Sequence, residues 1–183
     1  VQVNKTSHLL GLPYTTPAPN QNPYWEVSLN LKQLSYLQDH QVQMQPVMPA
    51  AGYVEMAFAA AHETNLPYPI TLKRTQFQRL LFLSQEPPVP TAQLLLQPIT
   101  EQEWRFRILA VPEAGRTWRN HAEGVIVADG RSAPTPLSLA ELQAQCPTAV
   151  DPATYYQQLA QNGLNYGPAF QGITTLWQGE GQS

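Results

Sequence analysis

The segment AAGYVEMAFAAAHE, residues 50–63, constrains this chain more than any other stretch. It is rich in alanine and free of proline, which favours a helix. Pro49 stands directly ahead, where the missing proline N–H costs a helix nothing, and Leu66-Pro67-Tyr68-Pro69 ends it. Apolar side chains fall on nearly all sides, which predicts a helix buried all round and wrapped by a sheet. Strand-like runs supply that wrapping: 24–31 before the helix, then 71–83, 91–98, 104–111 and 118–127 after it. Trp25, Val27 and Leu29 share one face. Trp104, Phe106 and Ile108 alternate with Arg105, Arg107 and Leu109, as in an antiparallel sheet with one wet face. The four tryptophans, Trp25, Trp104, Trp118 and Trp177, are expected in the core. The pattern predicts an α+β domain with one long helix packed on a curved antiparallel sheet.

The flanks read differently. Residues 1–23 are loop-like, and 128–150 collect Gly, Ser and Pro into a linker with room for a short helix at 137–145. Asp151 is a good N-cap with Pro152 at the first helical position. A helix over 152–161 then ends at Asn162-Gly163. NYGPAFQG and a strand-like ITTLWQGEG follow.

Composition narrows the partners. Charged residues are 13% of 183, about half the usual share, and 21 Gln supply much of the remaining polarity. A net charge of −3, with ten Lys+Arg and no polybasic run, argues against nucleic acid. No run approaches the ~18–20 apolar residues of a membrane span, and the N-terminus lacks the layout of a secretory signal. The lone Cys146 forms neither an internal disulfide nor a metal cage. His8, His40, His62 and His121 match no zinc spacing, so no metal is expected. A cytoplasmic domain, binding neither nucleic acid nor membrane, is the expectation.

HLLG at 8–11, YLQDHQVQMQPVMPAAGYVEMAFAAA at 36–61 and NYGPAFQG at 165–172 together resemble the dehydratase domain of modular polyketide synthases. That family carries a His-x3-Gly-x4-Pro motif and, after a linker, a Tyr-Gly-Pro-x-Phe motif. Order and spacing agree along nearly the whole chain. The resemblance implies a hotdog fold, a long helix wrapped by a curved antiparallel sheet, present twice. Residues 1–130 would be the first hotdog, 131–150 a linker and 151–183 the start of the second. It implies elimination of water from a β-hydroxyacyl chain on the phosphopantetheine arm of an acyl carrier protein, with no metal or diffusible cofactor. Neighbouring synthase domains would be partners, with a homodimer through the parent synthase as one arrangement.

Such elimination needs a base for the α-proton, an acid for the departing oxygen and donors for enolate-like charge. Histidine suits the base, with an unperturbed pKa of ~6.5. Free N–H groups at a helix start suit the charge, which points to Ala50, Ala51 and Gly52 behind Pro49. By resemblance His40 is the base, paired in the family with an aspartate of the second hotdog. No residue of 1–183 fits that acid, so these residues alone are expected to be inactive. Asp39 is expected to be a poor partner, since neighbours in an extended segment face opposite ways, and Asp151 reads as a cap. Tyr166 is divided between a hydrogen bond near substrate and packing at the seam between the hotdogs. Gly167 belongs to the same motif, and Pro168 and Phe170 are expected to shape the cleft. His8, His62 and His121 read as structural, and Arg105, Arg107, Arg116 and Arg119 as a solvated sheet face ahead of a carrier-protein surface.

Two positions depart from the family pattern. Met44 stands at the motif glycine, leaving a narrowed acyl tunnel, a reshaped one or altered chemistry as expectations, and Ala50 replaces the glycine after the proline. Enoyl isomerisation, cyclisation and a non-catalytic acyl-binding or spacing role therefore stay open beside dehydration.

Overall fold

The computed structural model describes residues 22–111, 117–128 and 136–179, together with Leu9, Gly130 and the backbone of 12–14. Strands β1 (Leu12–Tyr14), β2 (Tyr24–Ser28), β3 (His40–Val42) and β4 (Gln45–Pro46) precede helix α1 (Ala50–Glu63). Strands β5 (Ile70–Phe77), β6 (Thr91–Pro98), β7 (Glu103–Val111) and β8 (Arg119–Ala128) follow. Then come α2 (Leu139–Gln145), β9 (Thr148–Val150), α3 (Pro152–Gln161), β10 (Leu164–Tyr166) and β11 (Leu176–Gln178).

A six-stranded antiparallel sheet runs in the order β1-β2-β6-β7-β8-β5, and α1 packs against β6 and β8. Period-2 alternation sends Ala92, Leu94 and Leu96 of β6 and Phe106, Ile108 and Ala110 of β7 inward. There they meet Met56, Ala57, Ala60 and Ala61 of α1. Each large apolar side chain of this set contributes about 1.5–3 kcal/mol relative to exposure, and the alanines let the helix sit close to the sheet. The Trp25 indole N–H donates to Glu63 at 2.7 Å, tying β2 to the helix end.

Several expectations are corrected. Helix α1 is buried on one face only: Gly52, Tyr53, Met56, Ala57, Ala60 and Ala61 are covered, while Ala51, Glu55, Phe58 and His62 are exposed. Its near-uniform apolarity concealed that stripe. Of the tryptophans only Trp25 is fully buried, and Trp118 lies 37% exposed just ahead of β8. The single strand expected over 71–83 divides. A bulge between Lys73 and Gln76, with Arg74 at φ 52°, bends β5, which stops at Phe77. Residues 81–83 turn instead to 46–48, where Met48 N–H donates to Leu81 and Leu83 N–H to Pro46, each at 2.9 Å. Leu12–Tyr14, expected as loop, pair with β2. Thr148–Val150, expected as linker, pair with β11.

Candidate active site

The site is assembled on a second, three-stranded sheet in the order β10-β3-β4. Strands β3 and β4 pair Val42 with Gln45 and Gln41 with Pro46, so Gln43 and Met44 form a two-residue turn. Both have positive φ, 50° and 64°, the geometry of a I′ hairpin turn. Glycine adopts that geometry at no steric cost. Met44 adopts it with its side chain 71% exposed, projecting from the hairpin turn. The turn is held from outside. Gln43 N–H donates to the Gly163 carbonyl at 2.7 Å, and Met44 N–H to Asn165 Oδ1 at 3.4 Å. Gly163 itself lies at φ 83°, where α3 turns into β10.

His40 opens β3 and is half-buried. Its Nδ1 lies 2.8 Å from the Val47 carbonyl oxygen. A carbonyl only accepts, so the neutral ring carries its proton on Nδ1 and leaves the Nε2 lone pair free. Val47 N–H returns a bond of 3.0 Å to the His40 carbonyl, fixing ring and backbone to one residue.

The second motif closes on the first. Strand β10 adds antiparallel to β3, with Tyr166 opposite His40. The Tyr166 ring stacks on the imidazole, centroids 5.3 Å apart and planes 21° from parallel. Phe170, in the 3-10 turn Pro168–Phe170, approaches His40 at 5.1 Å and 52°. The Gly167 N–H donates to the Asp39 carbonyl and the Ala169 N–H to Asp39 Oδ2, both at 2.8 Å. Asp39 thus faces the second motif. It ends the 3-10 turn Ser35–Asp39, not an extended segment, so the reason expected for its failure to partner His40 is corrected. Among the described residues no carboxylate bonds His40.

At the start of α1, Pro49 is extended and buried, and Ala50 and Ala51 are exposed. Gly52 N–H donates to the Pro49 carbonyl at 3.0 Å, so of the three candidate amides it is committed within the helix end. The Ala50 and Ala51 N–H groups have no acceptor among the described residues. A Cβ at Gly52 would lie 2.5 Å from Met48 Cε, the flexible end of that side chain, which would have to shift. Tyr53, beside Gly52, buries its hydroxyl with no partner among the described residues, and burial pushes that phenol well above the usual range.

The remaining candidates stand apart from His40. His121 is buried, with Nδ1 3.3 Å from the Arg79 carbonyl; burial lowers its pKa, that bond partly opposes the shift, and the charges of Arg79 and Arg119 add to it. Asp151 caps α3 by accepting from Thr154 N–H and Oγ1, and those bonds lower its pKa. His62 lies in the last turn of α1. Arg105, Arg107 and Arg119 are exposed, as expected, while His8 and Arg116 lie outside the described residues. A cavity of about 490 Å³ between α3 and β10 borders the site, lined by Asp39, Tyr166 and Gly167 as well as Gln41, Tyr156 and Asn165. Strand alternation sets Gln41 and Asn165 on the face away from His40. Among the described residues no cluster of three metal-ligating side chains occurs, and no helix is long and apolar enough to cross a membrane.

Sequence reading missed Val47 and the reach of Asp39. Val47 acts through its backbone and leaves no side-chain signal. The adjacency of Asp39 to His40 was visible, but its partners lie 130 residues on.

A family model described as polyketide synthase dehydratase domain matches residues 7–111, and one described as polyketide synthase dehydratase N-terminal domain matches 134–183. The chain is 31% identical over 174 residues to prosolanapyrone synthase of Alternaria solani, covering 84% of this chain and 6% of that protein. It is 27% identical over 173 residues to the phthioceranic/hydroxyphthioceranic acid synthase of Mycobacterium tuberculosis, covering 94% of this chain and 8% of that protein. Among solved structures, the dehydratase domain from the CurK module of Curacin polyketide synthase aligns with TM-score 0.83 and 29% identity, over 95% of this chain and 61% of that one. Forms of CurK dehydratase with His replaced by Phe and Asp by Asn, both described as inactive, align with TM-scores 0.84 and 0.83. The chain thus spans about three-fifths of the solved domains and a small fraction of the curated relatives.

Proposed function

Because the chain belongs to the polyketide synthase dehydratase domain family, with its α+β hotdog fold, we propose that it supplies the base for eliminating water from a β-hydroxyacyl thioester. The observation that carries this reading is the His40 Nδ1–H bond to Val47, which reserves Nε2 for a carbon acid. In the proposed step Nε2 takes the α-proton. The C–H electrons form the Cα=Cβ bond, the Cβ–O bond breaks, and the departing hydroxyl takes a proton to leave as water. The Ala50 and Ala51 N–H groups steady charge on the thioester oxygen, as preorganised donors at a helix start do. The proton for the leaving oxygen comes from a carboxylic acid elsewhere in the domain. The two inactive CurK forms support that division of labour, since one lost a His and the other an Asp.

The substrate would arrive as a thioester on the phosphopantetheine arm of an acyl carrier protein. The reaction exchanges no electrons with a cofactor and needs no metal. Neighbouring synthase domains, a homodimer through the parent synthase and a cytoplasmic setting complete the proposal.

The test is His40→Ala in the dehydratase domain that contains this chain, assayed on a carrier-bound β-hydroxyacyl substrate. A fall of about 10²–10⁴-fold, the usual worth of general base catalysis, with loss of water from the wild-type product by mass, is expected. Unchanged turnover overturns His40 as base. A wild-type product of unchanged mass overturns dehydration in favour of isomerisation or cyclisation.

A further inference from the structure

We propose that Asp39 is a positioning residue for His40, acting through the turn at 167–170. The proposal deepens the function proposed above and rests on it for its catalytic consequence. Asp39 and His40 adjoin where a 3-10 turn meets β3, and they face different things. His40 bonds Val47, while Asp39 bonds the second motif twice, through its carbonyl to Gly167 N–H and through Oδ2 to Ala169 N–H, each at 2.8 Å. Between those anchors stands Pro168, which has no N–H to offer. The next donor, Phe170 N–H, is taken by the Gly167 carbonyl at 2.9 Å. Apart from that internal bond, Asp39 accepts every N–H that holds residues 167–169 against the first motif.

The fit between Asp39 and Gly167 is steric as well. A Cβ at Gly167 would lie 2.5 Å from Asp39 Cγ and Oδ1. Gly167 has φ −84°, which any residue adopts, so the glycine answers to the aspartate rather than to the backbone.

The clamp sets the walls around the imidazole. Tyr166 lies on one side at 5.3 Å and Phe170 on another at 5.1 Å. Phe170 is only partly buried against the core, and Pro168 and Ala169 are exposed, so burial alone does not hold the turn. Without the Asp39 carboxylate, Ala169 N–H loses its acceptor and Phe170 is free to swing. His40 keeps its Val47 bond, hence its tautomer, but loses the wall that sets its ring angle. Misplacement of a reacting group by about 1 Å costs on the order of 10²-fold in rate. The expectation is therefore a fall in kcat of about 10- to 100-fold, with KM nearly unchanged.

The test compares Asp39→Ala and Asp39→Asn in the dehydratase domain containing this chain, with labelled histidine for NMR. Asn keeps an oxygen for Ala169 N–H and discards the charge. Asp39→Ala should move the His40 ring resonances, as aromatic shielding changes, and lower kcat at near-constant KM. Asp39→Asn should restore both to within a few-fold and a small shift. Gly167→Ala, with Asp39 intact, should move the same resonances and keeps the test open if Asp39→Ala fails to fold. Unmoved resonances in both Asp39→Ala and Gly167→Ala overturn the clamp, as does an Asp39→Asn form as impaired as Asp39→Ala. Moved resonances with unchanged kcat overturn its catalytic consequence. A wild-type domain without turnover would refute the proposed function instead, while the resonances would still report the clamp.

Discussion

Met44→Gly is expected to stabilise the domain and leave its chemistry alone. Met44 holds φ 64° in the turn that joins β3 to β4. A left-handed residue with a Cβ costs about 1–2 kcal/mol. Glycine removes that cost but adds about 0.5–1 kcal/mol of chain entropy to be lost on folding. Because the Met44 side chain is 71% exposed, its removal forfeits little burial. The balance is a gain of about 0.5–1 kcal/mol, or about 1–4 °C in Tm for a domain of this size.

The assay is urea and thermal unfolding of wild type, Met44→Gly and Met44→Ala, the last removing the side chain while keeping the Cβ and its strain. Met44→Ala should be near neutral and Met44→Gly more stable, with turnover on long and short acyl chains equal in all three. If Met44→Gly is no more stable than Met44→Ala, backbone strain is not what glycine relieves there. If removing the side chain changes the preference for acyl length, Met44 faces the substrate and the outward placement is wrong.

Other perturbations address separate elements. Gly167→Ala forces a Cβ against Asp39 and should destabilise by about 1–3 kcal/mol, the usual cost of overpacking, read from the urea midpoint; an unchanged midpoint refutes the close fit. His121 has its folded pKa lowered, so its neutral form is the one folding favours. Its contribution should be fully present above the unfolded value of about 6.5 and lost as pH falls from there toward the folded pKa. His121→Gln should flatten the stability profile between pH 7 and 5, and an equally steep profile counts against it. Asp151→Ala should fray the start of α3, measured as faster amide exchange at Thr154, and wild type should approach it as pH falls through the lowered Asp151 pKa.

The fold was legible where one local signal sufficed. Alternation placed β6 and β7 nearly to the residue, and Asp151-Pro152 marked the start of α3. Legibility failed where a residue answered to something remote. The one-sided burial of α1 depends on which faces the sheet reaches, and an alanine-rich helix carries no polar stripe to reveal it. The division of 71–83 depends on a bulge that no residue type announces, and on buried Leu81 and Leu83 finding 46–48. In the site, the family resemblance singled out both the His40 and the Tyr166 motifs, but the turn at Met44 was not legible, because a glycine position read without its neighbour looks like space for a ligand. Two consecutive residues at positive φ show it to be a hairpin.

The same logic explains why the second motif has the residues it has. Tyr166 is a strand residue first, opposite His40 in the ladder, and strand alternation is what lays its ring on the imidazole. Gly167 leaves room for Asp39, Pro168 begins a tight turn with a fixed φ and no donor to satisfy, and Phe170 returns as the other wall. The Tyr166 ring packs against His40, and none of these structural roles needs a proton to move. The motif joins two chain segments 130 residues apart around one ring. Its steric complement lies not in the histidine but in the aspartate before it, so Asp39 and Gly167 should be replaceable together with less damage than the sum of the two single changes. A double variant such as Asp39→Ser with Gly167→Ala, whose unfolding midpoint shows no such coupling, would separate the two residues and undo that reading of the motif.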